Sequence, residues 1–443
     1  MLQGACHKRA LGGMLVALFA AGIAITITAQ SSSNTITACV NSAGLVRIIP
    51  FRTACLGSEQ PIRWNINGPA GPAGSQGPAG PAGTQGPAGP AGPQGPPGEG
   101  GGPMNFTVNC GAGETVNAAL NKGLDRSGRL FITIRGVCNE SVTINRDDVI
   151  LMGESPGDGL AVATTSSYPL GIAGGQRVQL RQLTLQGGGY GLLVSQGAAM
   201  TGEGLRITGA HEGLSIWDGT VRLSHSVIED SAGANVGVGP GGTLFLSDST
   251  VQDAASYGGI QVAGGSVWLD HSTVQGNKGP GGAGLGIMQG HVRITNSTIT
   301  DNGIGIWLHG GGVRIEASDI SGNGDHGIAL TSGTAQTMGV TIADNAKSGI
   351  FAMTGSRVIV DDWTTIRGNG EHGIWLRDTS VVGGHNPANT RITLNTRYGI
   401  FCDPAPAVAQ IQAHFSGTGF ILNGTNVMGN LQGQISCPGI VLP

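Results

Sequence analysis

Charged residues are scarce in this chain. Only 11% of its 443 residues are Asp, Glu, Lys or Arg, and the formal net charge is −4. Nucleic-acid binding needs a basic surface, so this balance argues against a nucleic-acid partner. Aromatic residues make up only 4% of the chain, and no segment shows a sustained helical period. The lack of helical pattern excludes a helical bundle, and the length allows one large β domain with appendages.

Glycine, in contrast, is abundant, with 81 residues, and it marks the corners of an internal repeat. From Val178 to about Val381 the chain repeats every 21 to 25 residues, as in VRITNSTITDNGIGIWLHGGG from Val292 and VRIEASDISGNGDHGIALTSGTA from Val313. Each unit holds short apolar runs with the alternation of a β-strand, separated by Asn-Gly or Gly-Gly corners. Such a short unit cannot bury its apolar side alone, so the units must stack into a parallel β-helix.

Polar residues recur at fixed places in the repeat and define the register of the stack. One serine and one asparagine per unit are aligned, namely Ser226, Ser249, Ser272, Ser297 and Ser318, and Asn302, Asn323, Asn345, Asn369 and Asn395. Identical side chains stacked about 4.8 Å apart can hydrogen-bond to one another and to the corner backbone. This pattern resembles the right-handed parallel β-helix proteins of the pectin-lyase-like superfamily over residues 105–440. The resemblance implies an all-β solenoid but no single activity, because this fold carries lyases, hydrolases, epimerases and surface proteins.

The N-terminus has the layout of a secretory signal peptide over residues 1–29. Lys8 and Arg9 precede an apolar run that extends from Leu11 to Ile27, and small and polar residues follow it. We therefore expect an exported protein, secreted or at the cell surface. An uncleaved membrane anchor is the alternative.

A strict Gly-X-Y run separates the first module, residues 30–67, from a linker at residues 101–104. Glycine occupies every third position from Gly68 to Gly98, and proline fills the X position in eight of the eleven triplets. Only glycine fits the axis of three wound polyproline chains, so residues 68–100, Gly68 to Gly100, are predicted to form a collagen-like stalk and a homotrimer. A flexible Pro/Gly linker is the alternative. The preceding segment resembles the small disulfide-bonded module that often stands before collagen-like runs in exported bacterial proteins, on the strength of Cys39, Cys55 and Trp64.

Six cysteines remain after removal of the signal segment with Cys6, and they allow fifteen pairings. They fall in three local couples that bracket the first module, the first coil and the C-terminal cap: Cys39 with Cys55, Cys110 with Cys138, and Cys402 with Cys437. No Cys-x-x-Cys or Cys/His spacing of a zinc site is present, so no metal and no other cofactor is expected. Near the first coil, a short helix around Val116 to Leu124 is predicted to cover the open end, with Phe131 to Ile134 and Val142 to Ile144 beginning the sheets.

Stacking the repeats aligns aromatic residues that directly follow the inward isoleucine of the Gly-Ile corner. These are Trp307, Phe351, Trp375 and Phe401, with Ala329 between the first two and with His326 and His372 alongside. Outward rings at rung spacing are suited to packing against sugar C–H groups, so these six aromatic and histidine residues are glycan-binding candidates. Cover by a loop, the C-terminal tail or a neighbouring subunit is the alternative. Beside them, Asp325, Lys347, Glu371 and Arg397 alternate in sign and are predicted to pair along the stack.

Two further columns carry polar residues. His225, Asp248 and His271 share one offset, where an acid between two imidazoles could poise an acid/base pair or bind a divalent metal; an ordinary polar corner is the alternative. Arg222, Arg293 and Arg314, with Phe245 and Trp268, point outward from another strand and could contact an acidic glycan or form a solvated face.

The resemblance to enzymes of this fold does not extend to their motifs. Asp361-Asp362, Glu371-His372-Gly373 and Arg391-Ile392-Thr393 are similar to the polygalacturonase motifs, but each departs from them, and the first two fall on ordinary repeat positions. No catalytic residue is therefore assigned, and we expect a non-catalytic protein with a structural, adhesion or glycan-binding role and an extracellular polysaccharide as partner. The alternatives are a lyase or hydrolase acting on acidic polysaccharide, and a passive protective spacer.

Overall fold

A computed structural model of the chain describes residues 35–42, 46–49, 54–65, 102–123, 128–384, 389–403, 410–411 and 427–437. The predicted signal segment, the collagen-like run and the first residue of the linker, residue 101, lie outside these residues. The chain divides into two compact units, residues 1–93 and 94–443. Among the described residues, none of the helices is both long and apolar enough to span a membrane.

The first unit contains a three-stranded antiparallel sheet. Its strands are Thr35–Asn41, Val46–Ile49 and Glu59–Asn65, with the first in the centre. A disulfide joins Cys39 to Cys55, as the sequence predicts. Ile48 and Ile62 both lie opposite Ala38 and therefore on one side of the sheet, where they are 69% and 47% exposed.

The second unit is a parallel β-helix of about 13 turns with about 23 residues per turn, as the repeat predicts. Each turn contributes one strand to each of three sheets, and every strand except those at the two ends pairs in parallel with its equivalents in the turns before and after. Sheet I has the strands Met104–Asn109, Leu130–Arg135, Val149–Gly153, Val178–Arg181, Ala199–Glu203, Thr220–Ser224, Thr243–Ser247, Ser266–Asp270, His291–Thr295, Gly312–Glu316, Thr334–Met338, Arg357–Val360, Val381–Gly383 and Gln410–Ile411.

Sheets II and III follow sheet I in each turn. Sheet II has the strands Val137–Cys138, Gly159–Val162, Thr184–Gly187, Arg206–Thr208, Val227–Glu229, Thr250–Gln252, Thr273–Gln275, Thr298–Thr300, Asp319–Ser321, Thr341–Ala343, Thr365–Arg367, Arg391–Thr393 and Val427–Met428. Sheet III has the strands Val142–Ile144, Leu170–Ala173, Tyr190–Ser195, Glu212–Ile216, Val236–Val238, Ile260–Ala263, Ala283–Met288, Ile304–His309, Ile328–Thr331, Ile350–Met353, Ile374–Leu376, Tyr398–Cys402 and Gly433–Ser436. Alternate side chains of these strands fill one continuous apolar core inside the coil.

Hydrogen bonds along the predicted columns of stacked serine and asparagine side chains stabilise the corners. We call these columns the serine ladder and the asparagine ladder. Each ladder serine accepts a hydrogen bond at Oγ from a backbone N–H one turn before it, as Ser272 does from Ser249 at 3.3 Å; the donor to the first of them, Ser226, is Leu205. In the asparagine ladder, Asn323 Nδ2 donates to Asn345 Oδ1 at 2.9 Å, and the pattern continues beyond the predicted set to Asn430. These side chains are buried, so the ladders satisfy backbone groups that water cannot reach.

The start of the solenoid differs in one respect from the prediction. Sheet I begins one strand earlier than expected, at Met104–Asn109, which pairs in parallel with Leu130–Arg135. The predicted cap forms as an α-helix, α1, over Val116–Lys122, preceded by a 3₁₀ helix at Cys110–Ala112. Thr115 caps α1, and the Glu140 carboxylate accepts from the N–H of Val116 at 2.6 Å, where the helix dipole favours a negative charge.

Disulfides close both ends of the solenoid at the predicted pairs. Cys110 joins Cys138 beside α1, and Cys402 joins Cys437. The second pair continues the register of the last two strands of sheet III, in which Phe401 lies opposite Ser436. Terminal coils have a neighbour on one side only, so a covalent link there opposes fraying.

Candidate functional site

The aromatic column lies on the outer side of sheet III. In successive turns Trp307 pairs with Ala329, Ala329 with Phe351, Phe351 with Trp375, and Trp375 with Phe401. The alignment expected from the Gly-Ile corners is therefore correct.

The rings pack on one another rather than standing free. The ring centroids of Phe351 and Trp375 are 4.7 Å apart, and the His326 ring stacks on Phe351 at the same distance. As a result Phe351 is only 8% exposed, whereas Trp307 at the end of the column is 36% exposed. Exposure therefore varies along the column, because aromatic side chains at rung spacing cover each other's faces.

The two candidate histidines are buried and belong to a backbone ladder. His326 Nδ1 accepts a hydrogen bond from the N–H of Ser348 at 3.1 Å, and His372 Nδ1 accepts from the N–H of Tyr398 at 3.3 Å. Between them, Ser348 Oγ accepts from the N–H of His372. Burial lowers the pKa of His326, and burial together with the nearby Arg397 lowers the pKa of His372 to about 4. Both imidazoles are thus neutral near pH 7, with Nδ1 as an acceptor.

The alternating charges pair as predicted. Lys347 Nζ lies 2.6 Å from Asp325 Oδ2, and Arg397 lies 4.0 Å from Glu371. On the other edge of the column, Arg377 pairs with Asp403 at 3.1 Å. This second pair was not predicted from the sequence, although the signal was present: both residues stand two positions after an aromatic residue of the column, Trp375 or Phe401.

We define the sheet III strip as the half-buried rings of Trp375, Tyr398 and Phe401 with the two ion pairs that flank them. Tyr398 and Phe401 pack at a centroid distance of 5.6 Å, and the Arg377 guanidinium lies 5.9 Å from the Trp375 ring centroid. Glu371 Oε2 and Trp375 Nε1 are buried and make no hydrogen bond within the part of the chain that the structure describes. The strip therefore offers partly exposed ring surface between charged groups that can donate and accept hydrogen bonds.

Comparison with known proteins identifies the family of the solenoid. The family described as right-handed beta helix region matches residues 170–313 and 283–430, which together are more than half of the chain. The chain belongs to this right-handed β-helix family. No curated protein matches it in sequence.

Solved structures similar to this right-handed β-helix share little sequence with it. The mannuronan C-5 epimerase AlgE4 A-module of Azotobacter vinelandii has 16% identity and a TM-score of 0.41, with 69% of this chain and 94% of that chain covered. An alginate lyase from Paenibacillus sp. has 11% identity and a TM-score of 0.32, covering 71% and 99%. The catalytic domain of a GH87 α-1,3-glucanase, with nigerose bound, has 12% identity and a TM-score of 0.39, covering 80% and 69%.

The polar cluster predicted at His225, Asp248 and His271 occupies a corner of the right-handed β-helix between sheets I and II. All three residues have left-handed backbone conformations, with φ of 50°, 48° and 47°. His, Asp and Asn are enriched in that region, so the backbone accounts for the polarity of this column. The acid beside His271 is Asp270, whose Oδ1 lies 3.1 Å from Nδ1, and within the described residues no hydrogen bond joins Asp248 to either imidazole. In the part of the chain that the structure describes, the three side chains do not come together within metal-ligating distance.

The strings that resemble enzyme motifs also serve the solenoid. Asp361 is buried and accepts a hydrogen bond from Gln336 Nε2 at 2.7 Å, while Asp362 accepts from the N–H groups of Trp363 and Asn389. In Arg391-Ile392-Thr393, Ile392 belongs to the core of sheet II. Within the described residues, Cys39, Cys55 and Glu59 have potential metal-ligand atoms close to one another, but the two sulfur atoms already form a disulfide.

Proposed function

We propose that this protein is an exported, non-catalytic β-helix protein that binds extracellular polysaccharide along the sheet III strip. The observation that carries the proposal is the position of partly exposed rings between two ion pairs, Arg397–Glu371 and Arg377–Asp403. Aromatic surface packs against the C–H side of a pyranose, and charged planar side chains bond to its hydroxyl groups. A chain lying along the strip would follow the solenoid axis.

The hydrogen bonding and the burial of His326 and His372 support a binding role over a catalytic one. A general base needs a ring nitrogen with a free lone pair, and a general acid needs a protonated imidazolium near the working pH. In His326 and His372, Nδ1 is engaged by the backbone, and burial lowers the pKa of each ring. These imidazoles therefore serve as hydrogen-bond acceptors and ring surface.

Replacing Trp375 tests the proposal. We expect Trp375→Ala to weaken binding to the glycan that the wild type selects from an array by about tenfold, because the stacking surface is lost. Trp375 also packs between Phe351 and Phe401, so its loss could disturb the ring stack. A second variant, Arg377→Gln, changes a residue outside the ring stack. Trp363→Ala is the matched control, because Trp363 is an exposed tryptophan.

Two outcomes would contradict the proposal. Unchanged affinity in both Trp375→Ala and Arg377→Gln would remove the strip as a binding site. Cleavage of pectin, alginate or a glycosaminoglycan by the purified protein would replace the binding role with the polysaccharide lyase or hydrolase alternative.

We further propose that the β-helix is presented outside the membrane as a homotrimer on the collagen-like stalk. Three chains must meet for the Gly-X-Y run to wind, and eleven triplets form a short triple helix that needs help from its flanks. The sheet of the first unit supports this, because Val46, Ile48 and Ile62 expose one apolar side. Such a surface is suited to contact with other copies of the chain.

A further inference from the structure

We propose a second binding surface, for an acidic polysaccharide, on the outer side of sheet I. It extends over the eight strands from Val178–Arg181 to Thr334–Met338 and lies on a different sheet from the strip described above. The proposal does not depend on that strip being a binding site. We call this surface the sheet I surface.

A ridge of stacked side chains forms the centre of the surface. The rings of Phe245 and Trp268, on neighbouring strands, lie 4.7 Å apart at an interplanar angle of 15°. On the other side of Phe245, the Arg222 guanidinium carbon lies 3.7 Å from the ring centroid. One face of the Trp268 ring is therefore covered by Phe245, and the ring as a whole remains 38% exposed.

A shallow cleft lies on each side of the ridge. The first, of about 360 Å³, is lined by Arg181, Thr201 and Arg222, and it ends at Phe245. The second, of about 310 Å³, is lined by Trp268, Arg293 and Arg314.

Gly312 shapes the floor of the second cleft. It lies between His291 and Thr334 in the register of the sheet, so one turn lacks an outward side chain there. A Cβ atom added at Gly312 would have no heavy atom closer than 3.8 Å, which shows that the space above this residue is open.

The charges of the surface favour an anionic ligand. Arg222 makes no ion pair with a carboxylate among the described residues, and Arg181 donates to the amide oxygen of Gln179. Arg293 and Arg314 share one carboxylate, that of Glu316, so their combined charge is only half neutralised. The remaining acids are Glu203 and Asp270, and Asp270 is engaged by His271. The surface thus carries a positive excess on a chain whose net charge is −4.

The linear arrangement of these groups favours a polymer. Eight strands at about 4.8 Å spacing give a surface roughly 34 Å long. Guanidinium groups recur along it on one line, with the aromatic ridge in the middle. A polysaccharide with acidic sugars can pair its carboxylate or sulfate groups with the guanidinium groups and pack C–H surface on Trp268.

Four variants of the full chain test the surface with a polygalacturonate oligosaccharide as probe and a malto-oligosaccharide as uncharged comparison. Trp268→Ala should weaken polygalacturonate binding about 5- to 10-fold through loss of ring contact. Arg222→Gln keeps a planar group on Phe245 and removes the charge, so it should weaken binding about fivefold at low salt and less at high salt. Gly312→Gln should block the second cleft with an unchanged melting temperature, and Trp363→Ala, at an exposed tryptophan outside both surfaces, should have no effect.

Each alternative result decides against the proposal. Equal affinity for the uncharged oligosaccharide would remove the charge argument, and unchanged binding in both Trp268→Ala and Gly312→Gln would place the ligand elsewhere. Loss of binding in Trp375→Ala together with unchanged binding in Trp268→Ala would assign the acidic glycan to the sheet III strip. A single-stranded oligonucleotide that bound as tightly, with the same dependence on Arg222, would show a general polyanion site.

Discussion

The role of an individual residue in this solenoid depends on its contacts with the turns before and after it. Ser348, His326 and His372 are chemically different, yet each presents one acceptor to the backbone N–H of the next turn. His225, Asp248 and His271 share a left-handed corner conformation instead of a common chemistry. Histidine therefore accepts a hydrogen bond from the backbone in one column, and in another column it occupies a left-handed corner conformation.

The buried His372 predicts a pH-dependent stability. Its pKa is about 4 in the folded chain and near 6.5 when unfolded, so the unfolded state takes up the proton first as the pH falls. The contribution to stability is complete above about pH 6.5 and is lost as the pH falls toward 4, by up to about 3 kcal/mol. Urea unfolding followed by tryptophan fluorescence at pH 7, 5.5 and 4.5 should show this loss.

His372→Ser is the matched variant, because Ser348 occupies the equivalent place one turn earlier. It should be less stable at pH 7, since packing against Phe401 is lost, but its stability should change less between pH 7 and 4.5. An identical pH dependence in the variant would show that other groups are responsible.

At the scale of the element, the side chains of the ladders supply hydrogen bonds to buried backbone groups at the corners. The Asn345 side chain accepts from both the backbone N–H and Nδ2 of Asn323, and it donates to Ile320 and Asn369. All of these groups are buried, so removing the amide leaves a backbone donor without a partner.

Asn345→Ala is therefore expected to destabilise the solenoid by about 2 to 5 kcal/mol, through lost hydrogen bonds and an unpaired buried N–H. Asn296→Ala is the control, because Asn296 lies at an exposed left-handed corner where the next turn has Ala317. The control should cost about 1 kcal/mol or less. Equal losses in the two variants, measured by urea unfolding, would contradict the structural role of the ladder.

At the scale of the whole molecule, the proposed assembly depends on the Gly-X-Y run and on the apolar side of the first sheet. We expect the mature chain to behave as a trimer in light scattering, and deletion of residues 68–100 to weaken or abolish trimerisation. Ile48→Ser, on the exposed side of the sheet, should lower trimer stability with little effect on the β-helix, because the two compact units are distinct. A monomer in all three cases would end the stalk hypothesis.

The sequence by itself determined the solenoid, its register and its disulfides. A repeat of short alternating runs has one way to bury its apolar side, and stacking then aligns every equivalent position, including Asn302 with Asn323. Cysteines that are close in such a repeat are also close in space, so Cys402 and Cys437 meet across adjacent strands. Local pattern and nearest-neighbour stacking are sufficient for these features.

Only the tertiary structure decided which aligned side chains remain accessible. Alignment places Phe351 and Trp375 on the outer side, but whether a ring faces solvent or its neighbour depends on rotamers and on the side chains that flank it. The same holds for Asp270, which reaches His271 where the column alignment suggested Asp248, and for Arg222, which lies over Phe245. The direction of a side chain depends on its contacts with the neighbouring turns, and the sequence repeat alone does not specify those contacts.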